Sequence, residues 1–308
     1  MEGLSKSKVM RFLFSFLLLI VWGFSASAQT PDHLIAAGAS LVKLADGFSF
    51  TEGPASDAEG NVFFTDQPNN KIYKWSTGGE LSVFTDESGR ANGMYFDMDG
   101  YLISCSDMDN ELWKFDENAN HTVILSSEEG NLFNGPNDVW VRPDGGMYLT
   151  DPLYKRDYWD RNPEMQRDGE YVYYFHPKMK RLITVDDGLV KPNGIVGHPQ
   201  KNLLYVADIG DDKTYVYKIR KNGKLGKRKL FCEMGSDGMT IDEQGNIYLT
   251  GNGVTIFDKN GEKIGHIPVP EGWTSNVCFS GKDFKTLFIT ASKSIYSIKM
   301  QIAGMKVE

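Results

Sequence analysis

Cysteine and histidine are scarce in this 308-residue chain, at three and five copies. Cys105, Cys232 and Cys278 make no CxxC pair and no Cys/His metal spacing, so they carry no chemical role. Each lies in or beside an apolar run and their number is odd, so buried free thiols are expected rather than disulfides. His33, His121, His176, His198 and His266 are scattered, and His198 falls in a hairpin turn, where a surface histidine is expected. The chain also lacks a GxSxG elbow, an HExxH pair, a Walker loop and a GxGxxG ahead of a helix. Nucleophilic catalysis and nucleotide binding therefore have little support. Sustained helical periodicity is missing as well. Basic residues are outnumbered, 33 against 41 acidic, for a net charge of −8. That balance argues against nucleic acid and anionic membrane, and it favours cations.

What is present is a repeat. NVFFTD, YLISCS, GMYLTD, LLYVAD, NIYLTG and TLFITA end at residues 66, 106, 151, 208, 251 and 291. Each is preceded by a turn such as DAEGN, DMDGY or RPDGG, and is followed by a second apolar run such as KIYKW, ELWKF or YVYYF. Short runs rich in Val, Ile, Tyr, Phe and Trp between such turns read as antiparallel hairpins. A period of 40 to 57 residues with several strands per copy predicts an all-β, six-bladed β-propeller of four-stranded antiparallel blades. Length alone suggests two domains, but six blades form one unit, expected over residues 29–308. The last repeat has strands at 275–280, 286–290 and 294–300, and then the chain ends. SLVKLADGF (40–48) has strand character and is expected to complete that blade, which removes open sheet edges.

Fourteen or 15 positions before each repeat end stands a carboxylate or an amide: Glu52, Asn92, Asn137, Asn193, Asp237 and Asn276. Asn-Gly and Asp-Gly pairs can simply cap turns. Glu52 is a poor turn residue, however, and the six positions offer only oxygen donors with no Lys or Arg in register. Six such groups facing one axis would be poorly satisfied without a cation. Oxygen ligands suit one hard divalent ion, calcium first, with magnesium, manganese or zinc as alternatives.

Two segments stand outside the repeat. Basic residues, the apolar run Phe12–Phe24 and Ala26-Ser27-Ala28 read as a signal peptide over 1–28, hence export to a periplasm or the outside. The run is too short and too near the start to favour a stable membrane span. In blade 3, PLYKRDYWDRNPEMQRDGE (152–170) replaces a short turn and is expected to overhang the ring face. Tyr154 and Trp159, with Tyr158, Lys155, Arg156 and Arg161, can then contact a hydroxylated or anionic substrate.

FTEGP (50–54), GPNDVWVRPDGGMYLTDP (135–152), KPNGI (191–195) and SDGM (236–239), in this order and at blade spacing, resemble the senescence marker protein/gluconolactonase family, which includes luciferin-regenerating enzyme-like proteins. The resemblance runs from about Gly47 to Ile298. It implies a six-bladed propeller with one central divalent cation and hydrolysis of lactones, most simply sugar (aldono) lactones. It implies metal ligation by Glu52, Asn193 and Asp237, with Asn137 at the metal or beside it holding substrate. Asp237 matches the family's general base. Asn92 and Asn276 then face substrate or water. One departure is Gly135, where mammalian-type members carry an arginine that contacts the sugar acid, so the sugar preference is open. Two other readings share the same ring: a non-catalytic, calcium-stabilised binding propeller, and a hydrolase of phosphotriesters or other esters.

Overall fold

Aspartate-led turns convert the apolar runs into hairpins. Asp57 Oδ1 accepts the backbone N–H groups of Glu59 (3.1 Å) and Asn61 (2.8 Å), and Gly60 supplies the φ of +85° that this reversal needs. Asp97, Asp116, Asp242 and Asp258 serve other hairpins in the same way. The computed structural model describes residues 33–159, 161 and 164–306, and the expected leader over 1–28 lies outside the described residues.

Six four-stranded antiparallel sheets result. Blade 1 holds Thr51–Ser56, Val62–Asp66, Lys71–Trp75 and Leu81–Thr85. Blade 2 holds Ala91–Phe96, Leu102–Ser106, Glu111–Phe115 and His121–Leu125. Blade 3 holds Val139–Val141, Met147–Asp151, Tyr171–His176 and Arg181–Asp186. Blade 4 holds Pro192–His198, Leu203–Asp208, Lys213–Lys218 and Lys229–Cys232. Blade 5 holds Met239–Ile241, Ile247–Gly251, Gly253–Phe257 and Lys263–Ile267. Blade 6 joins Thr274–Ser280, Thr286–Ala291 and Ser294–Lys299 to Val42–Asp46 from the other end of the chain. That last pairing sets Val42 against Ser297 and Asp46 against Ser294, so the N-terminal strand closes the propeller as expected. First strands of neighbouring blades touch one another and line the axis.

Apolar side chains fill the spaces between blades. Trp140, Tyr148, Leu204, Val206 and Leu249 belong to one buried cluster spanning blades 3 to 5. At the closure, Phe48, Phe64, Phe288 and Ile295 pack blade 1 on blade 6, with Phe48 edge-on to Phe64 at 5.3 Å between ring centres. Each such ring, fully buried, contributes about 1.5–3 kcal/mol. All three cysteines are free and buried among these layers. His198 departs from expectation. It is buried, because it ends a fully buried strand rather than standing in the turn beyond it.

The carboxylates that end three of the repeats have a structural role. Asp66 accepts from the N–H groups of Ser49 and Phe50, Asp151 from Asn134 and Gly135, and Asp208 from Val190 and Lys191. Each ties down the segment that leads into its own blade, and so fixes where the first strand begins. Among the described residues, no helix is long and apolar enough to cross a membrane.

Candidate active site and cation ring

A local irregularity in the first strands aims the ring residues inward. Register shifts fall between Glu52 and Ala55, Ala91 and Met94, Pro192 and Ile195, and Thr274 and Asn276. Such a bulge re-aims a side chain that regular pleating would place elsewhere. In blades 3 and 5 the regular strand begins only after the ring residue, at Val139 and Met239, and Asn137 keeps one backbone bond to Thr150.

The six expected residues form a closed circuit about the axis. A Cβ on Gly53 would lie 1.9 Å from the Asn92 carbonyl oxygen, and Gly93 donates its N–H to the Asn137 carbonyl at 2.6 Å. Thr150 links the next pair: its carbonyl accepts from Asn137 N–H at 2.8 Å and its hydroxyl donates to Asn193 O at 2.7 Å. Asn193 Nδ2 donates to Asp237 Oδ1 at 2.9 Å. A Cβ on Gly238 would meet the Asn276 side chain at 2.0 Å, and Asn276 Nδ2 donates to Glu52 Oε2 at 3.3 Å. The Asn-Gly and Asp-Gly pairs are therefore not turn caps. The glycines are required because the next blade's ring residue occupies the space a side chain would need.

Electrostatics at the ring are unfavourable for bare carboxylates. Burial, and then the charge on Asp237, push the Glu52 carboxyl well above its usual range, against the Gly53 N–H at 2.8 Å that favours its ionised form. Burial raises Asp237 too, opposed by hydrogen bonds from Trp273 and Asn193. A third acid, Asp138, stands behind them. Burial pushes it up to about 8, although Val139 and Ile195 donate backbone N–H groups to it at 2.9 and 3.3 Å. Asn193 Oδ1 is buried with no hydrogen-bond partner among the described residues. Among the described residues no three His, Cys, Asp or Glu side chains cluster as a ligand set. Amide oxygens would have to complete one. Repelling carboxylates and an orphaned amide oxygen in one place are what a hard cation would relieve, so the donor chemistry fits a divalent ion.

The insertion after Asp151 reaches the ring. Tyr154 OH accepts from Asn193 Nδ2 at 2.9 Å, and Lys191 Nζ donates to Leu153 O at 3.2 Å. Trp159 is one step removed. Its indole N–H goes to Asp107 Oδ2 at 3.1 Å, and the Arg161 guanidinium lies 3.5 Å from its ring centre. Asp107 also pairs with Arg156 at 3.8 Å and Arg161 at 3.6 Å, and accepts from Gln67 Nε2 at 3.3 Å. Burial holds its carboxyl up at about 6 despite both arginines. A cavity of about 1000 Å³ lies on the other side of the ring. Asp138 and Asn276 reach its inner end, and the hairpin turns at Asp57–Glu59 and Asp97–Gly100 form its mouth.

Sequence reasoning passed over three site residues. Asp138 follows Asn137 in GPND and was visible there, but it lies one place out of register. Asp107 comes just after the second repeat. Trp273 donates Nε1–H to Asp237 Oδ2 at 2.6 Å, from a loop that no periodicity singles out.

The family model for "SMP-30/Gluconolactonase/LRE-like region" matches residues 50–293. A gluconolactonase of Zymomonas mobilis is 28% identical over 302 residues, covering 89% of this chain and 85% of its own length. The solved structure of a gluconolactonase from Xanthomonas campestris superposes with a TM-score of 0.81 at 27% identity, covering 86% of this chain and 91% of that one. A calcium-binding protein, regucalcin, of Agrobacterium tumefaciens shares the fold alone, with a TM-score of 0.71 at 18% identity over 85% of this chain and 94% of that one. With more than half of its length matched, this chain belongs to the SMP-30/Gluconolactonase/LRE-like family.

Proposed function

We propose that this protein is a lactonase that opens a sugar (aldono) lactone at the ring, with one divalent cation held by Glu52, Asn137, Asn193 and Asp237. The observation that carries this reading is the meeting on the axis of a buried carboxylate, Glu52, a half-buried one, Asp237, that repels it, and an amide oxygen with no partner among the described residues. Relatives named as gluconolactonases support the substrate class. Calcium is the first choice from the donor set, and a fold relative is described as calcium-binding. When bound, such an ion supplies positive charge that polarises a carbonyl and stabilises the oxyanion.

The rest of the chemistry belongs to the chain. Asp237 is half-buried and open to the face where the insertion lies, so a water between it and a substrate carbonyl is within its reach. Its carboxylate takes one proton as the water oxygen bonds to the acyl carbon. The ring C–O bond then breaks, and the departing alkoxide receives that proton, leaving a hydroxy acid. Asn193 holds Asp237 Oδ1 and Asn92 presents its amide to the substrate's hydroxyls, whereas Asn276, expected to do the same, is engaged with Glu52 and the Val277 N–H and supports the ring instead. Tyr154 covers the site, and Trp159 holds that cover by way of Asp107. Export through the N-terminal leader is part of the proposal, with substrate met outside the cytoplasm.

Metal analysis of the purified protein, with an aldonolactone and phosphotriester panel before and after chelation, tests the reading. One equivalent of a divalent ion and chelator-sensitive aldonolactone turnover are expected. Full lactone turnover after complete metal removal would refute the cation's role. Turnover of phosphotriesters alone would refute the substrate class.

A further inference from the structure

Trp273 sits in the connection between strands Lys263–Ile267 and Thr274–Ser280. It is clamped at three points. Its backbone N–H donates to Ser292 Oγ at 3.1 Å, its carbonyl accepts from that same hydroxyl at 3.1 Å, and its indole N–H donates to Asp237 Oδ2 at 2.6 Å. Yet 38% of its surface stays open to solvent. The NIYLTG repeat ends in Gly251 where those of blades 1, 3 and 4 end in Asp, and a Cβ there would stand in ordinary contact with the indole, 3.7 Å from Trp273 Cη2. Its φ of +145° is one that residues with a side chain rarely adopt. The glycine of NIYLTG is thus required by its own backbone, and the indole packs over it.

A rigid indole beside a reactive carboxylate, open on one side, is a contact surface with little entropy left to lose. We propose that Trp273 is the substrate platform of this site and the positioning residue for Asp237. Its N–H holds Oδ2, and the C–H face of the lactone ring packs on the open indole face. The inference rests on the lactonase reading and adds the residue that selects a ring-shaped, C–H-rich substrate.

W273F keeps an aromatic face without the N–H, and W273L removes both. With glucono-δ-lactone as probe, KM is expected to rise about tenfold in W273L and to stay within about threefold in W273F. The kcat should fall by about three- to tenfold in both, since neither side chain donates to Asp237. Unchanged melting temperatures would show that a purely structural role is not responsible. An unchanged KM in W273L, or an unchanged kcat in both variants, would overturn the proposal. Failure of the lactonase reading looks different, because the wild type would then turn over no lactone. Binding of D-gluconate followed by fluorescence reads the platform without turnover. It should weaken about tenfold in W273L, and equal binding by wild type and W273L would overturn the platform.

Discussion

The two carboxylates of the ring are chemically alike, but they differ in setting. Among the described residues, the buried Glu52 receives only Gly53 N–H and Asn276 Nδ2, so its negative charge would gain most from a cation. Asp237 has donors on both oxygens and an open side, so it can both ligate and accept a proton. Asp237→Asn keeps the shape and one oxygen donor. It should stay folded and retain metal, while hydrolysis falls by roughly two orders of magnitude or more. Glu52→Gln should instead weaken the metal, and excess cation should restore part of its activity. Steady-state kinetics across a cation titration separate the two. Near-normal turnover by Asp237→Asn at saturating metal would leave Asp237 as a ligand only. These six positions were legible in the sequence because the repeat fixes their register. Why four of them precede glycine was not legible. Gly53 and Gly238 are demanded by neighbours 39 and 38 residues further on, at Asn92 and Asn276, and no local pattern records such an approach.

Among the elements, the insertion of blade 3 was read as an overhang from its position alone, and Tyr154 meets the ring as that reading requires. Its fastening was hidden. Asp107 belongs to another blade, and only the closed propeller brings it to Trp159, Arg156 and Arg161. Because burial raises this carboxyl from about 3.8 to about 6, the folded state holds its proton to higher pH than the unfolded chain does. Protons are therefore released on unfolding between about pH 4 and pH 6, and Asp107's contribution to stability declines as pH rises through that window. Two pH units correspond to roughly 3 kcal/mol at most, reduced by relaxation of the site. Asp107→Asn should flatten that decline relative to wild type, read as the difference between their urea midpoints from pH 4 to pH 7. A parallel decline in both proteins would assign the effect to Asp138 and Asp151, which burial also raises. Trp159→Phe keeps the ring and loses the N–H. It should speed proteolytic cutting within the insertion while leaving global unfolding nearly unchanged.

At the scale of the molecule, a strand at the rim holds six similar blades in one closed ring, and the proposed cation would add a second device on the axis. At the rim, Val42–Asp46 completes blade 6 and Phe48 packs against Phe64 and Tyr73 of blade 1. This closure could be read from the sequence because the last repeat is one strand short. Removing residues up to Asp46 should expose the edge of Ser294–Lys299, lower the melting temperature and promote association on gel filtration. A monomer of wild-type stability would show that the strand is dispensable. The proposed axial site could not be read from any one blade, since its oxygen donors come from blades 1, 3, 4 and 5, and its two carboxylates repel one another when bare. A cation bound there would interact with the folded propeller and not with the separated repeats, and so would stabilise by mass action. At calcium a hundredfold above its dissociation constant, the gain is about 2.7 kcal/mol. The melting temperature should therefore climb with calcium concentration and fall on chelation. Glu52→Gln should need more calcium for the same rise, and a protein lacking Asp237 altogether, as Asp237→Ala, should respond least. The shift should also shrink as pH falls, because raised carboxyls at Glu52 and Asp237 take up protons that compete with the ion. A melting curve indifferent to calcium, magnesium, manganese and zinc alike would mean that the ring is satisfied by water and its own amides, and the cation would have to be abandoned.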